Sequence, residues 1–91
     1  MAKIYSQEVG PEIILDTKID LSSATKVAIK AYQPDGTLVE LDGTVTDTTK
    51  VKHVKTANTL NVRGLWRLHS YAEFSDGEKQ YWGDQYDLWI Y

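Results

Sequence analysis

Few side chains in this 91-residue chain are equipped for chemistry. His53 and His69 are the two histidines. Neither has an Asp, Glu or second His at the short spacing a metal site needs, so both read as solvated or half-buried strand histidines. Asp76 with Glu78, and Asp84 with Asp87, are acid pairs close enough in sequence to act as general acid and base. Both pairs flank turns, and no nucleophile or cofactor motif accompanies them. There is no cysteine, which removes disulfides, thiolate metal sites and a cysteine nucleophile. The glycines of "PDG" and "SDG" are turn glycines rather than parts of a phosphate loop. The residues therefore point away from catalysis and imply no cofactor.

Two groups suggest binding instead. Lys50, Lys52 and Lys55 could meet an acidic partner, although lysines so spaced more often keep an edge strand from pairing with strangers. Tyr32, Tyr71, Tyr81 and Trp82 could form a sugar-stacking platform. Rings on sheets are more often core or protein contacts.

The elements that position these groups read as strands. "KIYS" and "EIILDT" are β-prone runs broken at Gly10-Pro11, where the chain is expected to change direction or sheet. "KVAIKAY" places Val27, Ile29 and Ala31 on one face and Lys26, Ala28, Lys30 and Tyr32 on the other. "QPDGT" has the order of a type I turn followed by a left-handed glycine. Asp42-Gly43 fits either a two-residue hairpin or a bulge within one long strand. "KVKHVK" alternates, and "LWRLHSYAEF" and "YWGDQYDLWIY" form a pair around "SDGE". Only "DLSSAT" suggests a helical turn, with Asp20 or Ser22 as its cap. Strands at intervals of about ten residues describe an antiparallel sandwich or barrel.

"LNVRGLWRL" narrows this choice. A leucine, a glycine four residues on and an aromatic two residues later mark the corner where immunoglobulin-like sandwiches cross between sheets. The aromatic tucks inward there, and its polar tip satisfies nearby backbone. With Trp66 inside, Leu68, Ser70, Ala72 and Phe74 also face in. Arg67, His69, Tyr71 and Glu73 then face out. The expected core is Val27, Ile29, Val39, Leu41, Val51, Trp66, Leu68, Phe74, Tyr86, Leu88 and Ile90. The fold class is thus an all-β, immunoglobulin-like antiparallel sandwich of about seven strands, one domain over residues 1–91.

Composition limits the partners. A net charge of −3 argues against nucleic acid, which calls for a basic excess on one face. "MAKIYSQEVG" has the pattern of neither a signal peptide nor a membrane span, so a cytoplasmic, soluble product is expected.

"MAKIYSQEVGPEIILDT", "DLSSAT", "PDGT" and "RGLWRLHSYAEF", in that order, resemble small immunoglobulin-like proteins from the structural gene blocks of tailed bacteriophages. More distantly, they resemble the N-terminal domain of phage baseplate upper proteins. The resemblance runs through Ile4-Tyr5, Ile13-Ile14, Asp16-Thr17, Asp20 to Thr25, Pro34 to Thr37 and Gly64-Leu65-Trp66. It implies a non-enzymatic virion protein, made in the host bacterial cytoplasm, whose partners are capsid or tail structural proteins or copies of itself. Members of that family run straight through the region of Asp42-Gly43, which favours the bulge. The final strand departs from the family's Val/Thr alternation by being more aromatic.

That strand, "DQYDLWIY", carries the functional expectation. If Tyr86, Leu88 and Ile90 fill the core, Trp89 and Tyr91 stand on the outer face. Arg67 and Tyr71, on the preceding strand, would then lie within cross-strand reach. Trp89, Tyr91, Tyr71 and Arg67, with the edge near Ile4 and Tyr5, form the expected protein interface. The sequence carries no coiled coil or fibre module, so binding would use the sandwich itself. That suits a head decoration binding a capsid lattice in many copies. A tail or baseplate adaptor is the alternative within the class, and a carbohydrate-binding module is the alternative outside it.

Overall fold

A computed structural model describes residues 3–91. Seven strands follow one another: β1 (Glu12–Asp16), β2 (Lys26–Tyr32), β3 (Leu38–Asp42), β4 (Thr44–Thr46), β5 (Lys50–Val54), β6 (Gly64–Phe74) and β7 (Lys79–Ile90). They form two antiparallel sheets, β1-β5-β4 and β3-β2-β6-β7. With β1, β4 and β5 as strands B, D and E, and β2, β3, β6 and β7 as C, C′, F and G, this is the immunoglobulin-like arrangement.

Local chemistry sets the turns. Gln33 and Thr37 close the β2–β3 turn at 2.8 Å, with Gly36 at φ 91° and the Asp35 carboxylate accepting from Thr37 N–H at 2.9 Å. "DLSSAT" forms one hydrogen-bonded turn, Ala24 N–H to Leu21 O at 3.0 Å, and Asp20 caps it through Ser22 N–H at 2.8 Å. The chain does run straight on through Asp42-Gly43, so there is no hairpin. It also passes from one sheet to the other there, which corrects the bulge reading. Gly43 allows this crossing: a Cβ would meet Val51 Cγ1 at 2.6 Å and Ala28 Cα at 3.0 Å.

Trp66 makes the corner. It is 1 % exposed, and its indole N–H donates to Val62 O at 2.7 Å. Two residues on, where antibody domains carry their second cysteine, stands the buried Leu68. Ile29, Leu41, Val51, Trp66, Leu68 and Ile90 are buried as expected, with Val27, Val39, Phe74 and Leu88 packed against them. Ile13, Leu15, Leu21 and Leu60 complete the core.

Tyr86 does not join it. It faces inward by parity but is 38 % exposed. The three-stranded sheet packs over β2 and β6, while β7 is the outermost strand and contacts chiefly β6.

The N-terminal segment lies along the end of β7. Ile4 bridges Ile90 in parallel, Tyr91 N–H donates to Ile4 O at 2.9 Å, and Ser6 N–H donates to Tyr91 O at 2.8 Å. The chain then changes sheet across Gly10-Pro11 to enter β1. Lys55 fastens this strap. It is wholly buried, and its ammonium donates to the carbonyls of Ser6 (2.8 Å), Glu8 (2.8 Å) and Thr56 (3.2 Å). The edge-guarding reading of the lysines is therefore corrected. Lys50 and Lys52 lie on β5, the central strand of its sheet. They face Asp47 at 3.6 Å and Glu12 at 3.7 Å.

Candidate functional site

The outer face of the four-stranded sheet carries most of the chain's unusual side chains. A bulge organises it. The β6–β7 register is regular from Gly64↔Ile90 to His69↔Gln85 and resumes at Tyr71↔Trp82, so β7 carries one extra residue at Gly83-Asp84. Each residue before the bulge is thereby turned to the face opposite the one plain alternation assigns. Trp82 points outward beside Tyr71. Tyr81 points inward, packs against the core and donates its hydroxyl to Thr17 O at 2.9 Å. Tyr81 is thus not part of an outer aromatic platform.

On one half of the face the side chains pack on one another. Lys30 Nζ lies 4.3 Å above the Tyr71 ring and binds Glu40 at 2.7 Å, and Lys26 reaches the same carboxylate at 3.1 Å. Tyr71 meets Trp82 edge-on at 5.5 Å and 74°, Trp82 meets His69 at 5.8 Å and 66°, and His69 meets Tyr32 at 6.1 Å and 82°. His69 Nδ1 donates to the bulge carbonyl of Gly83 at 2.9 Å. Tyr71 ends up only 4 % exposed. Its hydroxyl donates to Glu73 at 2.6 Å, which pushes the phenol up to about 12, with burial adding to the effect. Hydrogen bonds from Lys30 and then Lys26 hold the Glu40 carboxyl below its ordinary range. Rings set edge to face do not share a plane, which weighs against the sugar reading.

The other half is open. Trp89 is 56 % exposed and lies across from Leu65; Arg67 lies across from Asp87. Tyr32, Gln33, Pro34, Gly36, Leu65, Arg67 and Gln85 line an open hollow of about 510 Å³. Leu38, 45 % exposed, pairs across the strands with Tyr32 of that lining.

The expected interface residues therefore separate into three places. Trp89 and Arg67 share the open half. Tyr71 sits opposite Trp82, three register pairs beyond Arg67's neighbourhood and out of reach of Trp89, because cross-strand contact extends only to direct and diagonal neighbours. Tyr5 and Tyr91 pair at 6.2 Å beside the strap, with Lys3 Nζ 4.8 Å from the Tyr91 ring. Ile4 is half-buried against the core, so it is a packing residue rather than a free edge.

Two other titratable groups, His53 and Lys55, are buried and hydrogen-bonded. His53 is 4 % exposed; its Nδ1 donates to Asp42 O at 2.7 Å, and Nε2 lies 3.0 Å from Thr59 Oγ1. Thr59 Oγ1 already accepts Thr56 N–H at 2.9 Å, the arrangement of a turn-closing hydroxyl. Burial pushes the Lys55 ammonium down from its ordinary value. Among the described residues, no cluster of three or more His, Cys, Asp or Glu could hold a metal ion. Asp76 and Glu78 stand at the β6–β7 turn, and Asp87 accepts from Gln85 Nε2 at 3.0 Å. What the face offers chemically is exposed indole, aliphatic surface, amides and a guanidinium.

No protein-family model matches the chain, and no curated protein matches it.

Proposed function

We propose that the chain is a non-enzymatic structural protein of a tailed-phage virion, a head decoration or accessory protein. It seats on the capsid lattice through the open half of its four-stranded sheet. One observation carries the reading: Trp89 stands 56 % exposed beside Leu65 and Arg67, on a face whose other aromatics are packed on one another. Trp and Arg are the residue types that dominate binding hot spots. Covering the open part of an indole removes on the order of 100 Å² from water, about 2.5 kcal/mol at 25 cal/mol per Å² before association costs. The family resemblance and the sandwich fold support a virion protein that binds through a sheet face.

The test uses particles lacking the native protein. A Trp89→Ala, Leu65→Ala double variant should keep its circular dichroism yet fail to co-sediment with them, while the wild-type chain is recovered on separated heads. Normal seating of the variant refutes the face. Recovery on tails only replaces the head role with that of a tail adaptor, and absence from all particles refutes the virion role.

A further inference from the structure

We infer that the hollow beside Arg67 receives a carboxylate side chain, Asp or Glu, that a partner protein presents next to an apolar residue. This rests on the open half of the sheet being the docking face, and it specifies the partner's chemistry.

The charges of the face lead to this assignment. Lys26 and Lys30 both bind Glu40. Glu73 accepts from Tyr71, and Asp87 accepts from the Gln85 amide. Arg67 is exposed and, among the described residues, has no carboxylate within ion-pair distance. Asp87, its direct neighbour across the strands, accepts from the Gln85 amide instead, which leaves the guanidinium unpaired among the described residues. A guanidinium presents a rigid fork of donors that matches a carboxylate bidentately.

The surroundings fit a carboxylate carried on an apolar stem. Pro34, Leu65 and the Tyr32 ring wall the hollow, while Gln33 and Gln85 supply amides. At about 510 Å³ it falls in the ordinary range of ligand pockets, roughly 300–1,000 Å³. Partly desolvated walls strengthen a charge-assisted hydrogen bond relative to one in open water. A second copy of this chain fits less well. Of its exposed acids, Asp47, Asp76, Glu78 and Asp84 are flanked in sequence only by Thr, Ser, Gly, Lys and Gln, so they bring no adjacent apolar residue with them.

The experiment titrates the full chain with a blocked leucine–glutamate–leucine tripeptide, with the glutamine tripeptide as control, followed by NMR at the Arg67 side chain and the Leu65 and Gln85 amides. The glutamate peptide should bind about ten- to hundredfold more tightly, the worth of a hydrogen bond to a charged group. Arg67→Gln should erase that preference, and Arg67→Lys should keep only part of it. Equal binding of the two peptides, equal binding to wild type and Arg67→Gln, or no shift at Arg67 with either peptide overturns the assignment. Particle seating separates this inference from the reading beneath it. If Arg67→Glu seats normally while Trp89→Ala, Leu65→Ala does not, the carboxylate site falls and the docking face stands. If the double variant also seats normally, both fall.

Discussion

Ser70 and Gly83 occupy one space: the hydroxyl of Ser70 fills the position a Cβ on residue 83 would take. Ser70 Oγ is buried and, among the described residues, has no hydrogen-bond partner. The pair therefore pins the bulge that turns Trp82 outward and Tyr81 inward. Gly83→Ala should cost about 1–3 kcal/mol by overpacking. Ser70→Ala should be neutral or stabilising, because it removes a polar atom already unsatisfied. The double variant should recover most of the loss, giving a coupling well above the few tenths expected of independent sites. Denaturant unfolding measures all three, and additive losses would contradict the shared-space account.

Trp66 joins the two sheets at the corner. Trp66→Ala should cost about 3–5 kcal/mol, a large share of a small domain's stability. Trp66→Phe should cost less, because it keeps an aromatic ring inside and loses mainly the hydrogen bond to Val62 O. An unchanged melting midpoint for Trp66→Ala would remove the corner from the account of stability.

Among the described residues Lys55 has no carboxylate within ion-pair distance, and three backbone carbonyls hold its ammonium. Lys55→Met should cost about 1–3 kcal/mol, since those acceptors lose their donor in a closed site. Amide exchange at Ser6 and Gly10 should accelerate. Burial lowers the folded-state pKa below the ordinary 10.5, so the unfolded chain binds more protons between the two values. Wild type should therefore gain stability relative to Lys55→Met as pH rises towards 10.5. A stability difference flat with pH would show that the ammonium is not desolvated.

Tyr71 donates to Glu73, and its phenol titrates near 12. Ultraviolet titration should show a late phenolate component that Tyr71→Phe removes. The raised pKa means that this contribution is complete below the ordinary 10 and is lost as pH climbs through about 12. Wild type and Tyr71→Phe should therefore converge in stability across that window.

Much of this fold was legible because its signals are local. Period-two alternation located β2, β5 and β6, the "PDG" and "SDG" turns declared themselves by their glycines, and the Leu60–Gly64–Trp66 spacing placed the corner. The facing of Tyr81 and Trp82 was not legible. It depends on Ser70, thirteen positions from Gly83 in sequence, excluding a side chain across the strand. Lys55 reads as a surface lysine because its carbonyl partners leave no mark in side-chain types. Leu21 and Leu60 join the core from turns, where no periodicity flags them. The candidate site was half legible: the pattern placed Trp89 and Arg67 on one face, but alternation does not give the register between strands, and the pairing of Trp89 with Leu65 leaves Tyr71 six residues away along β6.

The strap along β7 has a mechanical consequence. Ile4 and Ile90 run in the same direction, so tension between Lys3 and Tyr91 would slide the two segments past each other. The Tyr91–Ile4 and Ser6–Tyr91 hydrogen bonds would then bear load together, in shear, instead of peeling one at a time as a hairpin pulled at its open end does. The Lys55 ammonium, gripping Ser6 and Glu8 from the opposite sheet, would share that load and tie the two sheets into one force-bearing clamp.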